Sequence, residues 1–172
     1  MANPSPVSEV RIRRAKRSEL GAVARMAAAL IREHHARDSQ RFMLVEPVEE
    51  GYRNWLDREI GRRGAVILVA EQDIEIVGYA YGTMEGRNWS ELLDACGKLN
   101  DVYVKRSLRR HGIAGRLIEA MLLELRGLGA PRVVLSSVDG NRAAQQLFAS
   151  FGFRRTMIEM TCELSALGSL EE

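Results

Sequence analysis

A strand–turn–helix–strand run between residues 99 and 138 does most to limit the folds open to this chain. Leu99 to Val104 reads as a strand, and it ends in a basic turn, Lys105-Arg106-Ser107-Leu108-Arg109-Arg110. From Gly112 to Arg126 the apolar residues Ile113, Leu117, Met121 and Leu125 recur at helical spacing. Gly127 and Gly129 stop that helix, Pro131 prevents its resumption, and Val133 to Val138 is a second strand. A helix between two strands is a crossover connection, so the sheet contains a parallel pair.

The elements before the crossover call for antiparallel neighbours. Val10 to Arg14 is a short first strand. Ser18 is a candidate N-cap for a helix that places Leu20, Val23, Ala24, Ala27, Leu30 and Ile31 on one face. A polar turn around Arg37 to Gln40 follows, and Pro47 suits the first turn of a second helix carrying Val48, Tyr52, Trp55, Leu56 and Ile60. Gly64 ends it. Ala65 to Ala70 and Glu75 to Tyr81 form a hairpin about Gln72-Asp73. Residues 86–97 show little pattern. After the crossover, Asn141 to Phe151 is a helix with Ala144, Leu147, Phe148 and Phe151 on one face, Gly152 is its left-handed stop, and Phe153 to Leu164 is the last strand. The order β-α-α-β-β-β-α-β-α-β describes one α/β domain, residues 9–165, with a mixed, mostly antiparallel sheet and flanking helices. Residues 1–8 and 166–172 are expected to be flexible ends.

Charge and composition exclude several functions. A net charge of +2, with the 25 Lys and Arg spread along the chain, gives no nucleic-acid footprint. The N-terminal segment has no apolar core of a signal peptide, and no apolar run approaches the ~20 residues needed to span a bilayer, so a cytoplasmic protein without a membrane partner is expected. Cys96 and Cys162 form no CxxC pair, and His34, His35 and His111 have no metal-ligand spacing with them, so no metal is expected.

The basic turn is the segment that carries chemistry. Backbone N–H groups at the start of the helix after it point one way, and the helix dipole adds positive potential, which together favour phosphate. Gly112 and Gly115 let a pyrophosphate approach the backbone, and Arg109, Arg110 and Arg116 can neutralise it. The glycine patterns of a Walker loop and of a dinucleotide fingerprint are both absent.

What is present is Arg109-x-x-Gly112-x-Ala114, which resembles the acyl-CoA pyrophosphate motif of the GNAT superfamily, Gln/Arg-x-x-Gly-x-Gly/Ala. A second stretch, Asn141-x-Ala143-Ala144-x-x-Leu147-Phe148-x-x-Phe151-Gly152-Phe153, resembles the later motif of that family. The resemblance covers residues 10–164 and implies the family's fold, with a fourth and fifth strand that are parallel and splay apart. It implies acetyl-CoA as co-substrate, its pyrophosphate held by the backbone of Arg110, His111, Gly112, Ile113, Ala114 and Gly115. It implies a pantetheine arm lying along Val102, Tyr103 and Val104, where a backbone N–H polarises the thioester carbonyl. Asn141 would face the arm or cap its own helix, and both roles are compatible.

The implied chemistry is direct attack of an amine on the thioester, with no enzyme-bound intermediate. Asp101 is the candidate base, its other reading being an ion pair with a nearby Arg. The family's Glu-Asp pair on this strand reads Asn100-Asp101 here, and the family's proton-donating Tyr is replaced by Phe148. Tyr103 fits a core or wall position better than an acid's. Glu46, Glu49, Glu50, Asp57, Glu59, Glu85, Glu91 and Asp94 would suit a cationic acceptor, or are ordinary solvated charge. The acceptor is therefore a small-molecule amine or a peptide. A non-catalytic acyl-CoA-binding module is the rival class, and a homodimer is compatible with either.

Overall fold

The computed structural model describes residues 9–164, so the expected flexible ends, 1–8 and 166–172, lie outside the described residues. Five strands form one sheet in the order β1-β2-β3-β4-β5: Arg11–Arg14, Ala65–Gln72, Glu75–Glu85, Cys96–Val104 and Val133–Leu135. The first three junctions are antiparallel, and β4 pairs β5 in parallel. Four helices flank the sheet: α1 Leu20–Arg37, α2 Val48–Glu59, α3 Ile113–Gly127 and α4 Arg142–Ser150. This is the mixed, mostly antiparallel α/β architecture expected.

Both faces of the sheet are covered. On one, Ile113, Leu117, Met121 and Leu125 of α3 are buried against Val66, Leu68 and Leu99. Their four-residue spacing gives α3 a single apolar stripe. On the other, Leu20, Val23 and Ala27 of α1 and Leu56 of α2 pack on Ile67, Val69, Tyr79 and Tyr103. Strands buried on both faces lose the usual alternation, which is why β2 and β3 read as continuous apolar runs.

Several boundaries differ from the sequence expectation. Ser18 does not cap α1. Arg17–Glu19 form a 3₁₀ turn, and the Glu19 carboxylate, also held by Arg13, accepts from the Lys16 N–H at 2.7 Å. The second helix stops at Glu59, and Gly64, at φ +84°, instead turns the chain into β2. β3 runs on to Glu85 and β4 begins at Cys96, so the loop between them is shorter than 86–97.

Two differences lie at the end of the chain. β5 pairs only through Leu135 rather than Val138, because β4 and β5 diverge beyond it. The expected last strand, 153–164, has no regular pairing: residues 154–164 are exposed, Met157, Ile158, Met160 and Leu164 among them. Apolar content favours an extended chain there, but a strand also needs a paired edge.

Candidate active site

The site grows from an irregularity in β4. Tyr81 pairs Asp101 and Gly82 pairs Leu99, so Asn100 is an extra residue and the strand is bulged. A bulge re-aims the side chains beside it. Here it sets the Asp101 carboxylate toward the α1/α2 face, where Oδ2 accepts from the Tyr79 hydroxyl at 3.2 Å. Asn100 donates to Thr83 Oγ1 at 3.0 Å. Burial pushes the Asp101 carboxyl up to about 6, against the opposing effect of the Tyr79 hydrogen bond. An arginine partner was the alternative reading of Asp101. Its hydrogen-bond partner is a tyrosine instead, and among the described residues no arginine forms an ion pair with it.

The split between β4 and β5 begins beside it. The last paired residues are Leu99 and Leu135, and beyond them β4 runs on through Asp101 while the other strand continues to Ser136 and Ser137 without pairing. Ser137 Oγ is buried without a hydrogen-bond partner, the one such side-chain atom among the described residues. Buried hydroxyls are normally paired, and none of the described residues pairs with this one.

At the far end of β4 lies the basic turn. Arg106–Leu108 form a 3₁₀ turn, Arg110 has φ +68° and Gly112 φ +77°. Left-handed residues in a turn allow successive N–H groups to face one side, the arrangement from which anion-binding concavities are built. The first helical hydrogen bond of α3 runs from Arg116 N–H to the Gly112 carbonyl at 3.1 Å. The N–H groups of Ile113, Ala114 and Gly115 precede it and have no acceptor within the helix. Open space surrounds Gly112, where an added Cβ would find nothing within 4 Å. At Gly115 the Cβ would meet Phe151 at 3.7 Å, an ordinary contact, so packing alone does not demand that glycine. Ala114 is partly buried, while Arg110, His111 and Arg116 are exposed around the turn.

Arg109 is tied into the fold as well as set at the turn. Its Nε donates to the Val104 carbonyl at 3.0 Å, its Nη2 to Glu33 Oε1 at 2.9 Å, and its Cζ lies 5.1 Å from the Tyr103 ring centroid. Arg106 binds the same Glu33 oxygen at 2.9 Å. Burial pushes the Glu33 carboxyl up, but the two guanidinium groups outweigh it and hold the group below the ordinary glutamate range. Arg109 thus braces the turn against α1. Nothing in the sequence pattern marked Glu33, which reads as one more charge at the end of an amphipathic helix.

Asn141 caps α4, its Oδ1 accepting from Ala144 N–H at 3.4 Å. Phe148 packs against Phe153, ring centroids 5.9 Å apart. Val102 and Val104 face the α3 core, and Tyr103, buried under α1, is core as expected. Of the acidic residues named as acceptor contacts, most have partners within the protein: Glu46 and Glu49 with Arg32, Asp57 with Arg17, Glu59 with Arg62 and Tyr81, Glu85 with Thr83, and Asp94 with Arg87. Among the described residues, no three His, Cys, Asp or Glu side chains cluster as metal ligands, and no helix is long and apolar enough to cross a membrane.

The sequence profile of the acetyltransferase (GNAT) family matches residues 28–153, which contain the split, the basic turn and α4. The chain belongs to the GNAT acetyltransferase family. No curated protein matched the sequence. Solved structures with the GNAT fold do. A tetramutant of the BH1408 protein from Bacillus halodurans aligns with a TM-score of 0.78 at 20% identity, over 90% of this chain and 99% of that one. The aminoglycoside N-acetyltransferase AAC(6')-Iy, solved with CoA, aligns with a TM-score of 0.75 at 16% identity, over 94% and 98%. A probable acetyltransferase aligns with a TM-score of 0.67 at 27% identity, over 90% and 96%. At identities of 16–20% the first two likenesses speak to the fold alone.

Proposed function

We propose that this GNAT protein transfers an acetyl group from acetyl-CoA directly to a primary amine. The observation that carries the reading is the divergence of β4 from β5 after Leu99, with Asp101 at its inner end and the α3 N-terminal turn at its outer end. An extended ligand arm in that split would lie along Val102, Tyr103 and Val104, as a strand would, with the Val104 carbonyl already held by Arg109. Its pyrophosphate would meet the N–H groups of Arg110 to Gly115, with Arg110 and Arg116 supplying charge and Arg109 keeping the turn in place. Asn141 and Phe148 would line the arm from α4.

In the reaction, the amine nitrogen bonds to the thioester carbonyl carbon and the carbonyl electron pair moves to oxygen. A β4 N–H stabilises that oxyanion. Asp101 takes the proton that the nitrogen must lose, directly or through one water. The oxyanion collapses, the C–S bond breaks, and coenzyme A leaves as a thiolate. Phe148 cannot protonate it. A thiol with a pKa of ~8.5 leaves readily without a donor, and the unpaired Ser137 hydroxyl is available to bond to the departing sulfur.

The test is release of free thiol from acetyl-CoA in the presence of a panel of primary amines, with mass spectrometry of the acetylated product. Asp101→Asn is expected to lower kcat by ~10²–10⁴-fold and to leave acetyl-CoA affinity nearly unchanged. Acetyl-CoA binding with no acetylated product from any amine would reject the catalytic reading in favour of a binding module.

A further inference from the structure

The acceptor side carries a groove of about 680 Å³ between α2 and the connection from α1. Its apolar wall is Ile31, Met43, Val45, Pro47, Tyr52 and Trp55. Met43 and Val45 are 82% and 67% exposed, an unusual position for side chains of their kind at the mouth of a cleft. The polar lining is Glu46, Glu50 and Asn54. Both charges are negative, and Glu46 is already shared with Arg32.

An aromatic path leads inward from this groove. The Tyr52 and Trp55 rings meet edge to face at 5.3 Å, and Trp55 meets Tyr81 edge to face at 4.9 Å. Tyr81 is the cross-strand partner of Asp101. Tyr52 belongs to both ends: it lines the groove, and burial first, then the negative charge of Asp101, raises its hydroxyl pKa. The groove and the carboxylate are therefore neighbours, separated by the packed rings of Tyr52, Trp55 and Tyr81.

We propose that the acceptor is an amphipathic amine, a primary ammonium on an aromatic or branched aliphatic body, bound with the body in this groove and the nitrogen toward Asp101. The inference rests on the acetyl-transfer reading above and deepens it. Apolar and aromatic walls gain from covering a hydrocarbon body. The Asp101 carboxylate on the inner side and the glutamates in the lining favour a cation. A polyhydroxylated amine would set hydroxyls against the rings of Tyr52 and Trp55, and a linear polyamine, although Glu46 or Glu50 could receive its second charge, has no body to cover the apolar wall, so both gain less from this groove.

The experiment compares 2-phenylethylamine, spermidine, neamine and a short peptide with a free N-terminus as acceptors at saturating acetyl-CoA. The expected result is a kcat/KM for 2-phenylethylamine at least ~10-fold above the others. Val45→Asp, a change at an exposed position, should raise KM for 2-phenylethylamine by ~10-fold or more, leave KM for acetyl-CoA unchanged, and not impair spermidine. A preference for spermidine, neamine or the peptide would overturn the amphipathic acceptor and leave acetyl transfer standing. Acetyl-CoA binding with none of the four acetylated would overturn both. Equal use of all four, indifferent to Val45→Asp, would also overturn the inference, since it would place the acceptor outside this groove.

Discussion

At the residue scale, Asp101 is where stability and chemistry pull apart. Its folded carboxyl titrates near 6 against an ordinary aspartate value of about 3.9, so the folded state binds the proton more tightly than the unfolded chain does. The sign follows: below about pH 4 both states are protonated and nothing is lost. As pH rises through 6 the buried carboxylate ionises and the fold gives up on the order of 3 kcal/mol. Asp101→Asn should therefore unfold at higher urea than the parent protein at pH 8, and the difference should largely vanish at pH 4. Equal midpoints at both pH values would show that the carboxylate is better solvated than its surroundings imply. The aspartate itself was legible in the sequence, as a charge in a strand that had to be used or paired. Its partner was not. Tyr79 lies 22 positions away, and only the pairing of β3 with β4 brings the two together. Glu33 was hidden for the same reason, 73 and 76 positions from the two arginines it holds.

At the element scale, the turn into α3 was legible because each of its demands is local. Glycine at a left-handed position, small residues at the first helical turn and a four-residue apolar repeat all leave marks in consecutive sequence. What the sequence could not show is the second left-handed residue, Arg110, since arginine carries no preference for positive φ. Gly112 allows a clean test. Gly112→Asn keeps a residue that tolerates φ +77° and has open space for its side chain, so fold and acetyl-CoA binding should survive. Gly112→Glu adds a negative charge where phosphate is expected. The rise in melting temperature that acetyl-CoA gives the parent protein should be lost in this variant and kept in the asparagine one. A glutamate variant that binds as well as the parent would move the pyrophosphate elsewhere. The end of the chain was the least legible element. Residues 154–164 have the composition of a strand, but pairing depends on an edge, and β5 offers only three paired residues.

At the scale of the whole molecule, the fold is unevenly held. β2 and β3 are buried on both faces, whereas every residue of β5 is only partly buried and α4 has no fully buried residue. The general plan, antiparallel strands followed by one crossover, could be read from the order of elements, because connection length and handedness are constrained by sterics. The unevenness could not, since it depends on where two parallel strands stop touching. Native-state hydrogen exchange should find the β5 and α4 amides opening far more often than those of β2 and β3, and saturating acetyl-CoA should slow the former more than the latter. Uniform protection would contradict the account of the split. The short β4–β5 pairing also changes what it means for this protein to be folded. A ligand that binds only the closed form stabilises it by RT ln(1 + [L]/Kd), about 2.7 kcal/mol at a hundredfold excess over Kd. On the proposed reading, how firmly β5 and α4 are held in a cell becomes a function of that cell's acetyl-CoA concentration, so a drop in carbon supply would loosen the protein as well as slow it.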